Sequence, residues 1–110
     1  MQFRNIYKRL CNKVLSRIDK TDLTYDEAIE IYNRENAVII DVRSPEEYRE
    51  RHLTGAINIP IYEAENIITE IQDREEIILL YCKSGKRSRI VKEILMQNGY
   101  KNVYTFKAII

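Results

Sequence analysis

The chain has too few metal- and disulfide-forming residues for either to hold it together. Its 110 residues include one histidine, His52, and two cysteines, Cys11 and Cys82, with no Cys-x-x-Cys pair. A zinc site draws on four nitrogen or sulfur ligands, so metal chemistry is set aside and no cofactor is expected. The cysteines stand 71 positions apart and no secretory apolar region precedes them, which argues against a disulfide framework and for reduced thiols in the cytoplasm. No run of eighteen apolar residues occurs, so membrane association is not expected, and low-complexity tracts are absent. What remains is one compact domain, which at this length buries about 65% of its unfolded surface.

The net charge is only +1, but it is unevenly spread. Residues 1–20 hold six cations against Asp19, and the remainder is mildly acidic. In the basic segment Phe3, Ile6, Tyr7, Leu10, Val14 and Ile18 recur at steps of three and four, the spacing of one face of a helix. An amphipathic helix over residues 1–20 is expected, docked on its own domain, the alternative being a helix that lies on an anionic membrane or a partner, with Cys11 serving packing rather than chemistry. The weak overall charge argues against nucleic acid as a partner.

Beyond residue 20, strand and helix signals alternate. Thr24 and Glu27 form a capping box for a helix of about ten residues. "AVIID" (Ala37–Asp41) and "EIILLYC" (Glu76–Cys82) are apolar runs without alternation, the pattern of strands covered on both faces of a parallel sheet. After the first run, Ser44, Pro45 and Glu47 supply an N-cap, a first-turn proline and a second capping box. "GAINIP" (Gly55–Pro60) reads as a brief strand and "ENIITEI" as a short helix. Ile90, Val91, Ile94 and Leu95 predict one helical face beginning after Ser88 as N-cap and stopping at Asn98-Gly99, and "NVYTF" predicts a last strand. Strands alternating with helices imply a parallel sheet covered on both sides.

The candidate site is "YCKSGKRSR", Tyr81 to Arg89. Cys82 stands at the carboxyl end of the most apolar strand, where open α/β sheets bind ligands. The following turn can converge its N–H groups on an anion, Gly85 permits a positive φ, and the next helix points its positive end at the same spot. For a thiol that anion is its own thiolate, with Lys83, Lys86, Arg87 and Arg89 adding positive charge. Cys82 is therefore expected to be nucleophilic without a histidine base. The bland alternative is an inert buried thiol beside a solvated basic turn.

The segment "CKSGKRS" resembles the active-site loop of rhodanese-like sulfurtransferases: a cysteine, four residues, then arginine and serine. "DVRSPEEYRERHLTGAINIP" (Asp41–Pro60) is similar to the second signature of that family nearly end to end. The resemblance implies an α/β rhodanese-like domain over residues 21–110, with a parallel five-stranded sheet flanked by helices on both faces. It implies a sulfurtransferase that moves sulfane sulfur from a small-molecule donor such as thiosulfate, through a Cys82 persulfide, to cyanide or to a small or protein thiol. Lys83, Ser84, Gly85, Lys86, Arg87 and Ser88 then form the substrate loop, with Arg87 holding the loop or meeting the donor. Arg43 joins them as a donor contact or as half of an ion pair steadying the loops. Asp41 and His52 are expected in structural roles near the site, and the protein is expected as a monomer or weak dimer.

Two alternatives accompany this expectation. A non-catalytic rhodanese module would normally lack the cysteine. A phosphatase or arsenate reductase of the related fold would place five residues between cysteine and arginine, where this chain has four. The family also follows its last strand with a Gly-Gly pair and a short helix ending in tryptophan. Here Ala108 and Ile109 occupy those positions, tryptophan is absent and the sequence stops at Ile110. The final helix is thus expected to be lacking or truncated, with residues 3–18 covering the surface it would leave open.

Overall fold

The computed structural model describes residues 22–110; the predicted N-terminal helix and Cys11 lie outside the described residues. One sheet contains β1 (Asp22–Leu23), β2 (Val38–Asp41), β3 (Ile57–Asn58), β4 (Ile77–Tyr81) and β5 (Asn102–Phe106), in the order β1-β5-β4-β2-β3. Every pairing is parallel. Between the strands lie α1 (Tyr25–Arg34), α2 (Pro45–Glu50), a 3₁₀ turn (Ile61–Glu63), α3 (Glu65–Glu70) and α4 (Lys86–Gln97). The expected five-stranded parallel architecture is the one observed, and residues 107–110 follow β5 without a helix.

Side-chain alternation along β4 explains why its sequence shows no polar positions. Ile77, Leu79 and Tyr81 pack on one face with Ala28 and Ile31 of α1, whereas Ile78, Leu80 and Cys82 pack on the other with Ile67 of α3 and Val91 and Leu95 of α4. Both faces are dry, so alternation has nothing to report. Each fully buried Leu or Ile contributes about 1.5–3 kcal/mol, and these layers hold the strand ends in place.

The predicted helix boundaries follow from local hydrogen bonding. In α1, Thr24 Oγ1 accepts from Glu27 N at 3.1 Å and Glu27 Oε1 accepts from Thr24 N at 2.8 Å. Ser44 and Glu47 repeat this capping box at α2. At the end of α4, Gly99 takes φ +92°, Gly99 N donates to Met96 O, and Tyr100 N donates to Leu95 O. This left-handed glycine stop satisfies carbonyls that the helix leaves unpaired and returns the chain to β5.

Three expectations need correction. The helix after the cysteine loop starts at Lys86 with Gly85 as its cap, so Ser88 is not the N-cap; it lies inside the first turn, fully buried. Ile90 is 52% exposed. The buried stripe of α4 runs through Ser88, Val91 and Leu95, and at 100° per residue Ile90 falls well round the helix from its centre. Finally, the residue patterns marked only four strands. The fifth, β1, is two residues long and exists through pairing with β5, where the Thr105 hydroxyl also donates to the Asp22 carboxylate.

Candidate active site

Cys82 is the first residue beyond β4, in the middle of the sheet, and is 4% exposed. The chain must turn at once into α4, and it does so through Gly85 at φ +89°, a left-handed conformation that side chains rarely adopt. This turn points donors back at the sulfur. Gly85 N donates to Cys82 Sγ at 3.1 Å and Ser88 N at 3.4 Å, and the thiol in turn donates to Ser88 Oγ at 3.5 Å. Ser88 Oγ also lies 3.1 Å from Gly85 O, which ties the serine to the turn it serves.

These contacts set the acidity of the thiol. Burial is the largest influence and pushes its pKa up, but the Ser88 hydroxyl and the backbone N–H groups of Ser88, Gly85 and Arg87 outweigh it and leave the thiol below its ordinary value. Hydrogen bonds to the charged form are the cause, as the cradle anticipated from sequence requires. Ionisation of Cys82, followed by alkylation rate with iodoacetamide, is expected to have its midpoint below the usual ~8.5 of a free cysteine. A midpoint at or above that value would mean that burial dominates.

Arg43 and Asp41 form the second layer. Asp41 closes β2 and is fully buried, and its carboxylate accepts from Arg43 N at 2.9 Å, from Nε at 3.0 and 3.1 Å, and from Nη2 at 2.8 Å. Arg43 Nη2 also donates to Arg51 O at 2.5 Å. The guanidinium is thus held as a loop-binding ion pair, while Arg43 still borders a hollow that reaches Cys82. Its pKa is raised, first by the Asp41 hydrogen bond.

Arg87 turns toward α2, where Nη1 and Nη2 meet Glu47 Oε1 and Oε2 at 2.8 and 3.2 Å. Sequence reasoning treated Glu47 as a capping residue only. The structure makes it the clamp between the two signature segments: one carboxylate caps α2 through Ser44 N and fixes the arginine of the cysteine loop. The signal available in the sequence was an acid in one signature and an unpaired arginine in the other.

The Arg87 hydrogen bond, chiefly, lowers the Glu47 pKa from 4.5 to about 2. A carboxyl depressed in the folded state stabilises it above its ordinary pKa, and that contribution is lost as the pH falls from about 4.5 to about 2. Both side chains are 31% exposed, so solvent screening limits the contribution to about 1 kcal/mol. Urea titrations are expected to show a wild-type advantage of that size over Glu47→Gln at pH 6 that shrinks across this window. A gap constant with pH would remove the clamp.

The remaining predicted residues separate. Lys83 is exposed and borders two hollows at Cys82, and Ser84, Gly85 and Ser88 border the narrower one. Lys86 and Arg87 border neither of these two hollows. His52 stacks on Tyr48 with ring centres 3.7 Å apart, and its Nδ1 lies 2.7 Å from Tyr48 O. It supports the end of α2 and stands outside both hollows.

The described residues thus form a parallel α/β domain that presents a buried cysteine to the N–H groups of a tight turn at the end of its central strand. The family model described as "Rhodanese-like domain" matches residues 24–108, and the chain belongs to that family. It is similar to thiosulfate sulfurtransferase PspE of Escherichia coli, 46% identical over 65 residues, covering 58% of this chain and 62% of that protein. The chain therefore spans under two thirds of that relative. Similarity to thiosulfate sulfurtransferase GlpE of Coxiella burnetii is 31% over 83 residues, covering 76% of this chain and 77% of GlpE. Among solved structures, a rhodanese with anions from E. coli matches with a TM-score of 0.59 and 42% identity, covering 66% of this chain and 84% of that one. No helix among the described residues is long and apolar enough to cross a membrane.

Proposed function

We propose that this protein is a rhodanese-type thiosulfate sulfurtransferase in which Cys82 carries the sulfur as a persulfide. The Cys82 thiolate attacks the outer sulfur of thiosulfate. A sulfur–sulfur bond forms to Cys82 as the one within thiosulfate breaks, and sulfite leaves with the electron pair. Cyanide or a thiolate then attacks the outer sulfur of the persulfide, and the Cys82 thiolate is the leaving group. A persulfide is an anion as the thiolate is, so one set of donors serves both halves of the cycle.

The observation that carries this reading is the convergence of the Gly85 and Ser88 backbone N–H groups on a single buried sulfur. The names of PspE and GlpE support the same reaction. Lys83, at the rim, attracts the anionic donor, and Arg87 acts through Glu47 to hold the loop's shape.

Intact mass after incubation of the reduced protein with thiosulfate tests the reading. The expected result is a gain of one sulfur atom that cyanide or dithiothreitol removes and that Cys82→Ser never acquires. No gain with thiosulfate or polysulfide would leave a binding module as the better description.

A further inference from the structure

Residues 22–110 carry sixteen carboxylate side chains against twelve Lys and Arg, so the domain as a whole is acidic. Most of its cations are already engaged. Arg34, Arg43, Arg49, Arg87 and Lys101 pair with carboxylates. Lys92 lies in the field of Asp22, and the Arg74 guanidinium is taken by Gln72 O and Asn98 O. The other five, Arg51, Lys83, Lys86, Arg89 and Lys107, are exposed and have no carboxylate partner among the described residues. All five stand around Cys82.

Their places differ in one respect. Arg51 borders the hollow of about 330 Å³ that reaches Cys82, Lys107 borders the neighbouring one of about 150 Å³, and Lys83 borders both. Lys86 and Arg89 border neither, so a small anion seated in a hollow does not touch them. They lie on the outside of the cysteine turn: Lys86 follows Gly85 at the start of α4, and Arg89 Nε donates to Gly85 O at 3.1 Å, which fixes the guanidinium against the turn. Beside Arg89, Ile90 is 52% exposed. Asp22 and Glu50, which each border one hollow, offset part of this charge, as does Glu93 a turn beyond Arg89, where it accepts from Gln97 Nε2 at 3.3 Å. The cations remain in excess.

We propose that this face docks a protein sulfur acceptor whose reactive cysteine is flanked by Asp and Glu residues. This rests on Cys82 acting as the sulfur carrier. Breadth decides for a protein: touching Lys86, Arg89 and Ile90 while a thiol reaches Cys82 takes a molecule wider than either hollow, with both charged and apolar surface. Transfer also takes an acceptor thiol, which a cysteine side chain supplies and a nucleic acid backbone does not. Away from this face carboxylates are in excess, so an acidic partner is steered to the cysteine end and repelled elsewhere. The partner's thiol loses its proton to solvent and its sulfur attacks the outer sulfur of the persulfide. The new sulfur–sulfur bond forms as the bond to Cys82 breaks, and the electron pair returns to Cys82.

Two synthetic peptides test the docking face, each with one cysteine, flanked by Asp and Glu in the first and by Asn and Gln in the second. Sulfur transfer from the whole chain loaded with thiosulfate is followed by peptide mass, with kcat/KM expressed per thiolate because acidic flanks raise the thiol's pKa. At about 20 mM salt the acidic peptide is expected to be favoured about 10-fold, and at about 0.5 M by no more than about 2-fold, since the Debye length shortens from roughly 20 Å to roughly 4 Å. Lys86→Gln and Arg89→Gln are each expected to lower the preference about 3-fold, the effect of one exposed charge contact. Lys101→Gln, at the far end of β5, is expected to leave it in place. No preference at low salt, a preference that salt does not reduce, or one that Lys101→Gln lowers as much as the other two substitutions do would overturn the docking face. Absence of preference together with inhibition of transfer by a single-stranded oligonucleotide would reassign the face to nucleic acid. Absence of any persulfide in the wild-type protein, read by intact mass, would instead remove the carrier role itself.

Discussion

On the proposed activity, Cys82→Ser is expected to lower sulfur transfer from thiosulfate to cyanide by on the order of 10³-fold or more, the scale on which enzymes lose rate when the nucleophile is removed. A serine hydroxyl in the same cradle stays protonated, because N–H donors at 3.1 and 3.4 Å offset the ionisation of a thiol but not that of an alcohol. The substitution keeps nearly the same volume at a site 4% exposed, so thermal stability should change little. Thiocyanate formation and melting temperature on the same preparation separate the two effects. Retained transfer in a folded Cys82→Ser protein would mean that another group carries the sulfur.

The largest expected loss of stability belongs to Asp41→Ala. Asp41 is fully buried and Arg43 is 8% exposed, with the guanidinium held by three contacts to the carboxylate and one to Arg51 O. Removing the acid leaves a cation in the interior with little to neutralise it, which costs about 3–5 kcal/mol. For a domain of this size each kcal/mol corresponds to about 4–8 °C, so a fall of at least ~12 °C in Tm is expected. The double replacement Asp41→Leu with Arg43→Met removes both charges and should recover much of the loss, since an apolar pair carries no desolvation penalty. A single substitution that lowers Tm by only a few degrees would show that Arg43 reaches water and that the pair is a surface contact in effect.

Much of the architecture was legible in the chain because the relevant forces are local or periodic. The runs in β2 and β4 are apolar at every position since both faces are covered, and the capping boxes at Thr24 and Ser44 complete their hydrogen bonds within four residues. Cys82 and Gly85 could be placed for the same reason: a strand that stops and a helix that begins within a few residues force a tight turn at that point. The second signature was legible through the family's spacing, and its Asp41–Arg43 pair spans only two residues.

What the sequence by itself determined was therefore the order of α1 to α4 and of strands β2 to β5, the cysteine loop and the anion-stabilising character of its turn. Only the tertiary structure decided what lies far apart along the chain but close in space. Glu47 meets Arg87 across forty residues, β1 exists through its pairing with β5, and Ile90 is left outward by the direction in which α4 docks. Lys83 is retained beside both hollows while Lys86 and Arg87 are turned from them. The physical reason is the same in each case: hydrogen bonds and helix caps act between neighbours in sequence, whereas long-range ion pairs, strand partners and the hollows beside Cys82 are set by how the finished layers pack.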